Sequence, residues 1–295
     1  MLAYITGGAG FVGHWLAEHL RDCGDSVVSV DAEVDVTNGE AVRRSLVAVA
    51  PDVVYHLAGL AHVGRSWEKP GLTFQVNAFG TLNVLEAAAA CSEPPRVVLV
   101  SSAEVYGAAG DEPVSESAEL RPVTPYASSK VAAEFLGLQA YLGRGLPVIR
   151  ARPFNHVGPG QAPDFVVSAL ARRLVEAERS GARSVPVGNL EAVRDFTDVR
   201  DVVRAYRLLA ERGEPGEAYN VASGRGLAVR QVADELIALG GGAVELVADE
   251  SLYRPVDVPV FLGDTSKLVE TTGWSPSISL GETLADVLAY WRSRE

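Results

Sequence analysis

The sequence contains little cysteine, little lysine and no excess of positive charge. Only two cysteines, Cys23 and Cys91, occur among its 295 residues, which excludes a disulfide framework and predicts the reducing environment of the cytoplasm. Its formal net charge of −12 argues against general binding to nucleic acid or to an anionic membrane. No apolar run reaches the ~20 residues of a membrane-spanning helix, and from the N-terminal MLAYITGGAG we expect no signal peptide.

The first half of the chain alternates short runs of β-branched residues with longer helical stretches. These patterns predict strands at residues 2–6, 26–31, 51–59, 96–102 and 146–153, and helices at residues 11–24, 38–50, 74–91 and 125–143. Continuous apolar strands separated by helices pack into a parallel sheet that is covered on both faces, with right-handed crossovers. The sequence therefore predicts an α/β protein built on a doubly wound parallel (Rossmann) sheet.

After Pro153 the regular alternation of strands and helices ends. A loop rich in glycine and proline precedes helices predicted at 165–181, 198–212, 228–239, 264–272 and 279–293 and strand-like runs at 184–189 and 218–224. No repeat or low-complexity linker separates the two halves, so we expect interleaved lobes and not a tethered module. The predicted Rossmann domain covers residues 1–155, with 190–224 returning to it, and a smaller C-terminal substrate lobe comprises 156–189 and 225–295.

A glycine-rich turn, TGGAGFVG, follows the first predicted strand. Gly7, Gly10 and Gly13 have the G-x-x-G-x-x-G spacing, and Phe11 and Val12 lie between the last two glycines. Glycines at this place permit a tight turn and let backbone N–H groups approach a pyrophosphate at the start of the next helix. The spacing by itself is common, but a strand before it and a helix after it favour a dinucleotide site.

An aspartate ends the second predicted strand, 18 residues beyond the last of these glycines. The Asp31 carboxylate is suited to accept hydrogen bonds from an adenosine ribose and to repel a 2′-phosphate, which favours NAD(H) over NADP(H). NADP(H) stays possible if Arg43 or Arg44 approaches the ribose, and the alternative role of Asp31 is that of a turn residue. Asp35 and Val36 are candidates to border the adenine, unless they belong to a short connecting strand.

A tyrosine and a lysine lie four residues apart on the helix predicted after the fourth strand. A free tyrosine has a pKa of about 10, and a nearby ammonium favours its phenolate. We therefore expect Lys130, one of only three lysines, to lower the pKa of Tyr126 and to hold a ribose. Ser101 and Ser102 end the fourth strand, where ligands bind in open α/β sheets. The alternatives are an exposed Tyr/Lys pair and serines that cap a turn.

These motifs resemble, in order and over essentially the whole chain, the extended short-chain dehydrogenase/reductase family. The resemblance rests on TGGAGFVG, HLAG at 56–59, VSSAEVYG, the Tyr–Lys pair and ARPFN. It implies that Ser102, Tyr126 and Lys130 are catalytic and that Asn77 is the active-site asparagine. Besides the glycine turn and the acidic residues after it, it implies cofactor contacts from Leu57, Ala58, Gly59, Asn77, Tyr126 and Lys130.

Three segments of the second half, RPFNHVGPGQ, VGNLEAVRDFTDVRDVVRAY and RPVDVPVFLGDTSKLVETTGW, are similar to GDP-6-deoxy-mannose (GDP-rhamnose) reductases and to GDP-mannose 4,6-dehydratases. The similarity implies a nucleotide-sugar pocket lined by Asn155, Val166, Gly188, Asn189, Arg194 and Arg254. Arginine suits a sugar diphosphate because its guanidinium binds phosphate oxygens bidentately; the alternative is surface salt bridges with neighbouring aspartates. His62 and His156 lack metal-ligand spacing, so we predict no metal and interpret both as pocket or core histidines.

Four activities are compatible with these residues: reduction of a 4-keto-6-deoxy sugar, 4,6-dehydration, epimerisation, and non-catalytic cofactor sensing. The intact serine, tyrosine and lysine argue against the last. Glu104 stands where dehydratases of the family keep an acid–base glutamate, but similar reductases carry an acid there too. Ala103 has no proton to donate, which favours an NAD(P)H-dependent reductase in which Tyr126 donates the proton and Ser102 binds the carbonyl oxygen. The resemblance also implies a homodimer formed through helices 74–91 and 125–143.

Overall fold

A computed structural model describes residues 1–242, 244–253 and 258–294. Its strands are β1 (Leu2–Thr6), β2 (Ser26–Val30), β3 (Val53–His56), β4 (Arg96–Val100), β5 (Val148–Pro153), β6 (Asn155–Val157), β7 (Ser184–Val187), β8 (Val193–Asp198), β9 (Ala218–Val221), β10 (Gly226–Ala228), β11 (Glu245–Ala248) and β12 (Val260–Phe261). Its α-helices are α1 (Phe11–Asp22), α2 (Gly39–Val49), α3 (Val63–Glu68), α4 (Pro70–Phe74), α5 (Gly80–Ala89), α6 (Pro125–Arg144), α7 (Val166–Ser180), α8 (Val199–Arg212), α9 (Val229–Gly240), α10 (Ser266–Thr272) and α11 (Leu280–Ser293).

The central sheet is parallel throughout, in the order β2-β1-β3-β4-β5-β9. One apolar core lies between this sheet and α1 and α8, and another lies on the opposite face beneath α2, α5 and α6. The predicted doubly wound Rossmann sheet is therefore confirmed. From β1 the chain first adds β2 on one side and then, from β3 onward, adds strands on the other side, so the strand order reverses between β1 and β3. Ligands bind at the carboxyl ends of the strands at such a switch point.

The helix predicted over 74–91 is more complex than the sequence pattern indicates. It begins as α4, passes through a π-helical turn at Gln75–Phe79 and continues as α5, while the short α3 was not predicted. The strand predicted over 51–59 ends at His56, because the following residues turn away from the sheet toward α3. π-Helical turns often occur at functional sites, and this one carries Asn77.

The second half of the chain adds a smaller sheet that the sequence pattern did not predict. Strands β10, β8 and β12 pair in that order, β6 also pairs with β8, and β7 pairs with β11. Helices α7, α9 and α11 cover an apolar core of their own. Strand β8 belongs to the smaller sheet and the later strand β9 to the central sheet, so the chain returns from one sheet to the other. The exact domain boundaries remain a prediction. In the parts of the chain that the structure describes, every helix is too short or too polar to cross a membrane.

Candidate active site

The glycine turn after β1 leaves no room for a Cβ at Gly7 or Gly13. Gly7 has a φ of +72°, and a Cβ there would lie 2.8 Å from the backbone nitrogen of Ala58. A Cβ on Gly13 would collide with the carbonyl oxygen of Gly7. Helix α1 begins at Phe11, and its N-cap, Gly10, provides no side-chain cap. The first N–H groups of α1 therefore remain available for an anion, as a bound pyrophosphate requires.

Asp31 lies directly after β2 and contacts this turn. Its Oδ2 accepts a hydrogen bond of 3.0 Å from the backbone nitrogen of Ala9. The exposed Asp35 accepts hydrogen bonds of 2.8 Å from both the backbone and the hydroxyl of Thr37, which hold the pKa of its carboxyl below the usual value. Val36 is buried against Gly80. Asp35 and Val36 thus belong to a turn, and the connecting strand considered as an alternative is not formed.

Asn77 ties the segment after β3 to α6. Its Oδ1 accepts a hydrogen bond of 2.7 Å from the backbone nitrogen of Leu60, and its Nδ2 donates to the Leu60 carbonyl and to Ser129 Oγ. Leu57 and Gly59 line the adjoining cavity, and the backbone nitrogen of Ala58 donates to the Thr6 hydroxyl at 3.3 Å. In this structure Asn77 holds the backbone of Leu60 in place through these two hydrogen bonds.

Helix α6 carries the predicted catalytic tyrosine and lysine into the protein. Thr124 caps the helix by accepting a hydrogen bond of 3.0 Å from the backbone nitrogen of Ala127, and Pro125 occupies its first turn. Tyr126 and Lys130 are both buried, and Lys130 Nζ donates to the carbonyl oxygen of Val100 at 2.9 Å. The alternative of an exposed Tyr/Lys pair is therefore wrong.

The protonation states differ from the sequence-based expectation. Burial raises the pKa of the Tyr126 phenol to about 12, and a hydrogen bond with the Ser102 side chain offsets part of that increase. Burial lowers the pKa of the Lys130 ammonium to about 8, opposed by the charge of Glu134. The expectation that Lys130 lowers the pKa of Tyr126 is not met, because burial is the largest cause of the shift and the charge of Glu104 raises the pKa further. Tyr126 is a neutral phenol at pH 7.

Two cavities meet at this site. The first, of about 200 Å³, is lined by Ser102, Glu104, Tyr126 and Lys130 among other residues. The second, of about 330 Å³, brings together five of the predicted substrate residues: Asn155, Val166, Gly188, Asn189 and Arg194. Asn155 and Val166 line both cavities, so the predicted catalytic and substrate residues form one continuous region. Arg254, the sixth predicted substrate residue, lies outside the described residues.

Arg194 lies at the wall of the second cavity, not on the surface. It is 9% exposed, and its guanidinium donates to the carbonyl oxygen of Val193 at 2.8 Å. The fully buried Asp195 accepts its hydrogen bonds from Ser223 and from the backbone nitrogen of Gly224. The alternative of an exposed Arg194–Asp195 salt bridge is therefore wrong.

The two histidines have structural partners. His156 lines the first cavity and stacks on Phe11 with 6.1 Å between ring centroids. His62 is only half-buried and caps α3 by accepting a hydrogen bond of 2.9 Å from the backbone nitrogen of Arg65. Across the described ranges, His, Cys, Asp and Glu side chains form no cluster suited to a metal ion. His62 is thus a helix cap that lines neither of the two cavities, so it is neither a pocket histidine nor a core histidine.

Several residues that support the site were not predicted. Ser66 accepts a hydrogen bond of 3.2 Å from the backbone nitrogen of Tyr126. Behind the site, Arg152 makes a buried ion pair with Glu134 at 2.6 Å and donates to the Tyr106 hydroxyl at 2.9 Å. Glu134 is four residues beyond Lys130, so the helical spacing that identified the lysine also pointed to this face of α6.

The parallel sheet, the glycine turn and the buried Ser102–Tyr126–Lys130 cluster are those of an extended short-chain dehydrogenase/reductase. The sequence profile described as GDP-mannose 4,6 dehydratase matches residues 32–287, and the chain belongs to this family.

Relatives with different activities resemble the chain. It is 36% identical to the GDP-6-deoxy-D-mannose reductase of Pseudomonas aeruginosa, over 99% of this chain and 97% of the relative. It is 28% identical to a GDP-mannose 4,6-dehydratase of Vibrio cholerae, over 86% of this chain and 76% of the relative.

Two solved structures share its fold. RMD from Pseudomonas aeruginosa, complexed with NADPH, superposes with a TM-score of 0.93 at 35% identity, covering 100% of this chain and 99% of that one. The UDP-glucose 4-epimerase of Thermus thermophilus, in complex with NAD, superposes with a TM-score of 0.90 at 30% identity, covering 99% of both chains.

Proposed function

We propose that this protein is an NAD(P)H-dependent reductase of a nucleotide-linked 4-keto-6-deoxy sugar, converting GDP-4-keto-6-deoxy-mannose to GDP-rhamnose. The observation that carries the proposal is the position of Tyr126, hydrogen-bonded to Ser102 in a cavity that continues into the Arg194 pocket. Reduction of a ketone requires a proton donor at the carbonyl oxygen, and a neutral phenol is one. The 36% identity to a GDP-6-deoxy-D-mannose reductase supports the same substrate.

The residues present fit a dinucleotide cofactor. The side-chain-free turn at Gly7 and Gly13 and the uncapped start of α1 would hold its pyrophosphate. Asp31 would bind the adenosine ribose, and Lys130 the ribose on the nicotinamide side. When bound, the nicotinamide supplies the hydride that the carbonyl carbon of the sugar receives.

The side chains of this protein bind and orient the substrate and donate the proton. Ser102 binds the carbonyl oxygen of the sugar, Tyr126 donates its proton to that oxygen, and the ammonium of Lys130 stabilises the phenolate that results. Burial of Tyr126 and Lys130 strengthens this charge interaction, since the effective dielectric inside a protein is low. Arg194 and Asn155 bind the nucleotide diphosphate side of the substrate.

A 4,6-dehydratase is the second candidate, because Glu104 lines the first cavity two residues after Ser102. Dehydration needs proton abstraction at C5 and loss of the C6 hydroxyl, and therefore an acid–base group beyond Tyr126. The adjacent Ala103, 1% exposed, has only a methyl group, so Glu104 would have to act at both carbons. An epimerase would also use Tyr126.

One pair of assays separates these activities. Given GDP-4-keto-6-deoxy-mannose, the purified protein should oxidise NADH or NADPH stoichiometrically and form a 6-deoxyhexose, identified by mass spectrometry. Given GDP-mannose and catalytic NAD⁺ or NADP⁺, it should form no product. Accumulation of a 4-keto sugar from GDP-mannose, abolished in Glu104→Gln, would make the protein a dehydratase and overturn the reductase.

NADH is the proposed preferred cofactor, because the Asp31 carboxylate lies at the glycine turn. We predict a kcat/KM for NADH at least about tenfold above that for NADPH, since one unfavourable charge contact of ~1.4 kcal/mol suffices. Asp31→Ala should narrow the difference between the two kcat/KM values, and Asp22→Ala, an exposed acid at the far end of α1 from the glycine turn, should leave it unchanged. The NADPH-bound neighbour defines the opposing outcome: a preference for NADPH in the unmodified protein would show that Asp31 is only a turn residue.

We further propose a homodimer in the cytoplasm, with no nucleic acid or membrane partner. The helices predicted to form the interface carry large exposed apolar side chains: Phe79 on the π-helical turn, and Phe135 and Leu142 on α6. Phe135 and Leu142 are two helical turns apart and so lie on one face. Such a surface favours association with another protein.

A further inference from the structure

Tyr206, on α8, is a buried polar residue that the proposed reaction does not use. Its side chain is 0% exposed, and its hydroxyl has no hydrogen-bond partner within the described part of the chain. Buried hydroxyl groups are nearly always paired, because leaving one unpaired loses the hydrogen bonds that water would supply. The residue is therefore a candidate to bind a ligand.

The position of Tyr206 indicates which ligand. It lines the same cavity as Ser102 and Tyr126. Three other cavity residues, Val12, Leu57 and Val100, pack with it on one apolar cluster. They come from the start of α1 and the segment after β3, which are proposed to hold the cofactor, and from the end of β4, where the Val100 carbonyl accepts a hydrogen bond from Lys130. Of these four wall residues only Tyr206 carries a polar group.

A wall with three apolar side chains and one hydroxyl suits a ligand with a planar, largely apolar ring and one polar edge. We propose that the hydroxyl of Tyr206 binds the carboxamide of the nicotinamide cofactor. A phenol can donate to the carboxamide oxygen or accept from its NH₂ group. Burial, with a contribution from the nearby Tyr126, raises the pKa of Tyr206, so the hydroxyl remains protonated at neutral pH. The proposal rests on the proposed cofactor class and is independent of the sugar.

The test compares a complete cofactor with one that lacks the ring. Tyr206→Phe keeps the buried ring and removes only the hydroxyl. We expect it to weaken NADH binding roughly threefold to tenfold, as for loss of one hydrogen bond, in calorimetric titration. ADP-ribose, which has the same nucleotide and phosphates but no nicotinamide, should bind both proteins equally. If NADPH is the cofactor, 2′-phospho-ADP-ribose replaces ADP-ribose.

Tyr55 provides a matched control. It is also 0% exposed, its hydroxyl also lacks a partner among the described residues, and it packs in the same apolar cluster, but it does not line the cavity. Tyr55→Phe should change neither affinity. Without ligand, both variants should unfold at the wild-type temperature or above it, because each loses an unpaired buried hydroxyl.

Each outcome decides between a ligand contact and a structural role. Equal weakening of NADH and ADP-ribose binding in Tyr206→Phe, or a lowered unfolding temperature, would make the hydroxyl structural and overturn the proposal. Unchanged NADH affinity in that variant, with both ligands bound by the wild type, would overturn it while leaving the proposed function intact. Failure of the wild type to bind NADH, NADPH and ADP-ribose alike would overturn both.

Discussion

The Tyr126 phenol remains protonated at neutral pH because its burial raises its pKa to about 12. A protonated phenol can serve as the general acid at the carbonyl oxygen of a ketone substrate. Ser102 is the partner that moderates the effect of burial. Desolvation is thus the largest influence on the pKa of Tyr126, with smaller ones from the Ser102 hydrogen bond and the charge of Glu104.

Tyr126→Phe keeps the packing of the ring and removes the proton donor. We predict a loss of roughly 10²–10⁴ in kcat, the range typical of a removed general acid, with little change in cofactor affinity. Steady-state kinetics and an NADH titration measure the two effects separately. Tyr141→Phe, near the other end of the same helix, is the control and should keep full activity. Near wild-type turnover in Tyr126→Phe would refute the assignment.

The glycine turn between β1 and α1 acts as a unit because Gly7 packs against Ala58, and Gly13 against Gly7, too closely for a Cβ at either glycine. Gly7, Gly10 and Gly13 serve different purposes: a left-handed conformation, an uncapped helix start and close contact with the turn, respectively. Sequence spacing predicted the motif, but the reason for Gly13 is the Gly7 carbonyl oxygen that a Cβ would strike. The element is therefore more sensitive to substitution than its exposure suggests.

Gly13→Ala should force this turn open and weaken NADH binding by at least about tenfold, the equivalent of one lost ~1.4 kcal/mol interaction with the phosphates. Fluorescence titration of NADH gives the affinity directly. Gly71→Ala in α4, where a Cβ meets nothing within 4 Å, should bind NADH as the wild type does. If Gly13→Ala retained wild-type affinity, the turn would not be the phosphate site.

The folded molecule presents Phe135 and Leu142, which are 56% and 73% exposed, on one face of α6. We predict that Phe135→Glu combined with Leu142→Glu yields a monomer, because burying two carboxylates in an apolar interface is costly. Light scattering coupled to size-exclusion chromatography gives the mass. Leu239→Glu, on α9 and 41% exposed in the unaltered protein, should leave the dimer intact. A monomeric wild type at micromolar concentration would contradict the proposed interface.

The sequence by itself determined the central sheet, its glycine turn and the class of enzyme. Strands β1, β3 and β4 are runs of mostly apolar residues, and local pattern suffices for such strands because most of their residues are buried. Tyr126 and Lys130 were identified from their spacing on one helix, Ser101 and Ser102 from their place at a strand end, and the family resemblance selected Ser102. The predicted substrate residues that fall in the described part of the chain line a single cavity, and the segments that carry the resemblance contain most of them.

Only the tertiary structure decided the environment of these residues. The small strands β6, β10 and β12 are two or three residues long and form through pairing with β8, which no local pattern reveals. The pKa values of Tyr126 and Lys130 follow from burial by distant segments, so their spacing predicted the wrong direction for the tyrosine. The Arg152–Glu134 pair, and the Tyr206 hydroxyl that has no partner among the described residues, likewise depend on elements far apart in the chain. Desolvation and long-range contacts exist only once the protein has folded.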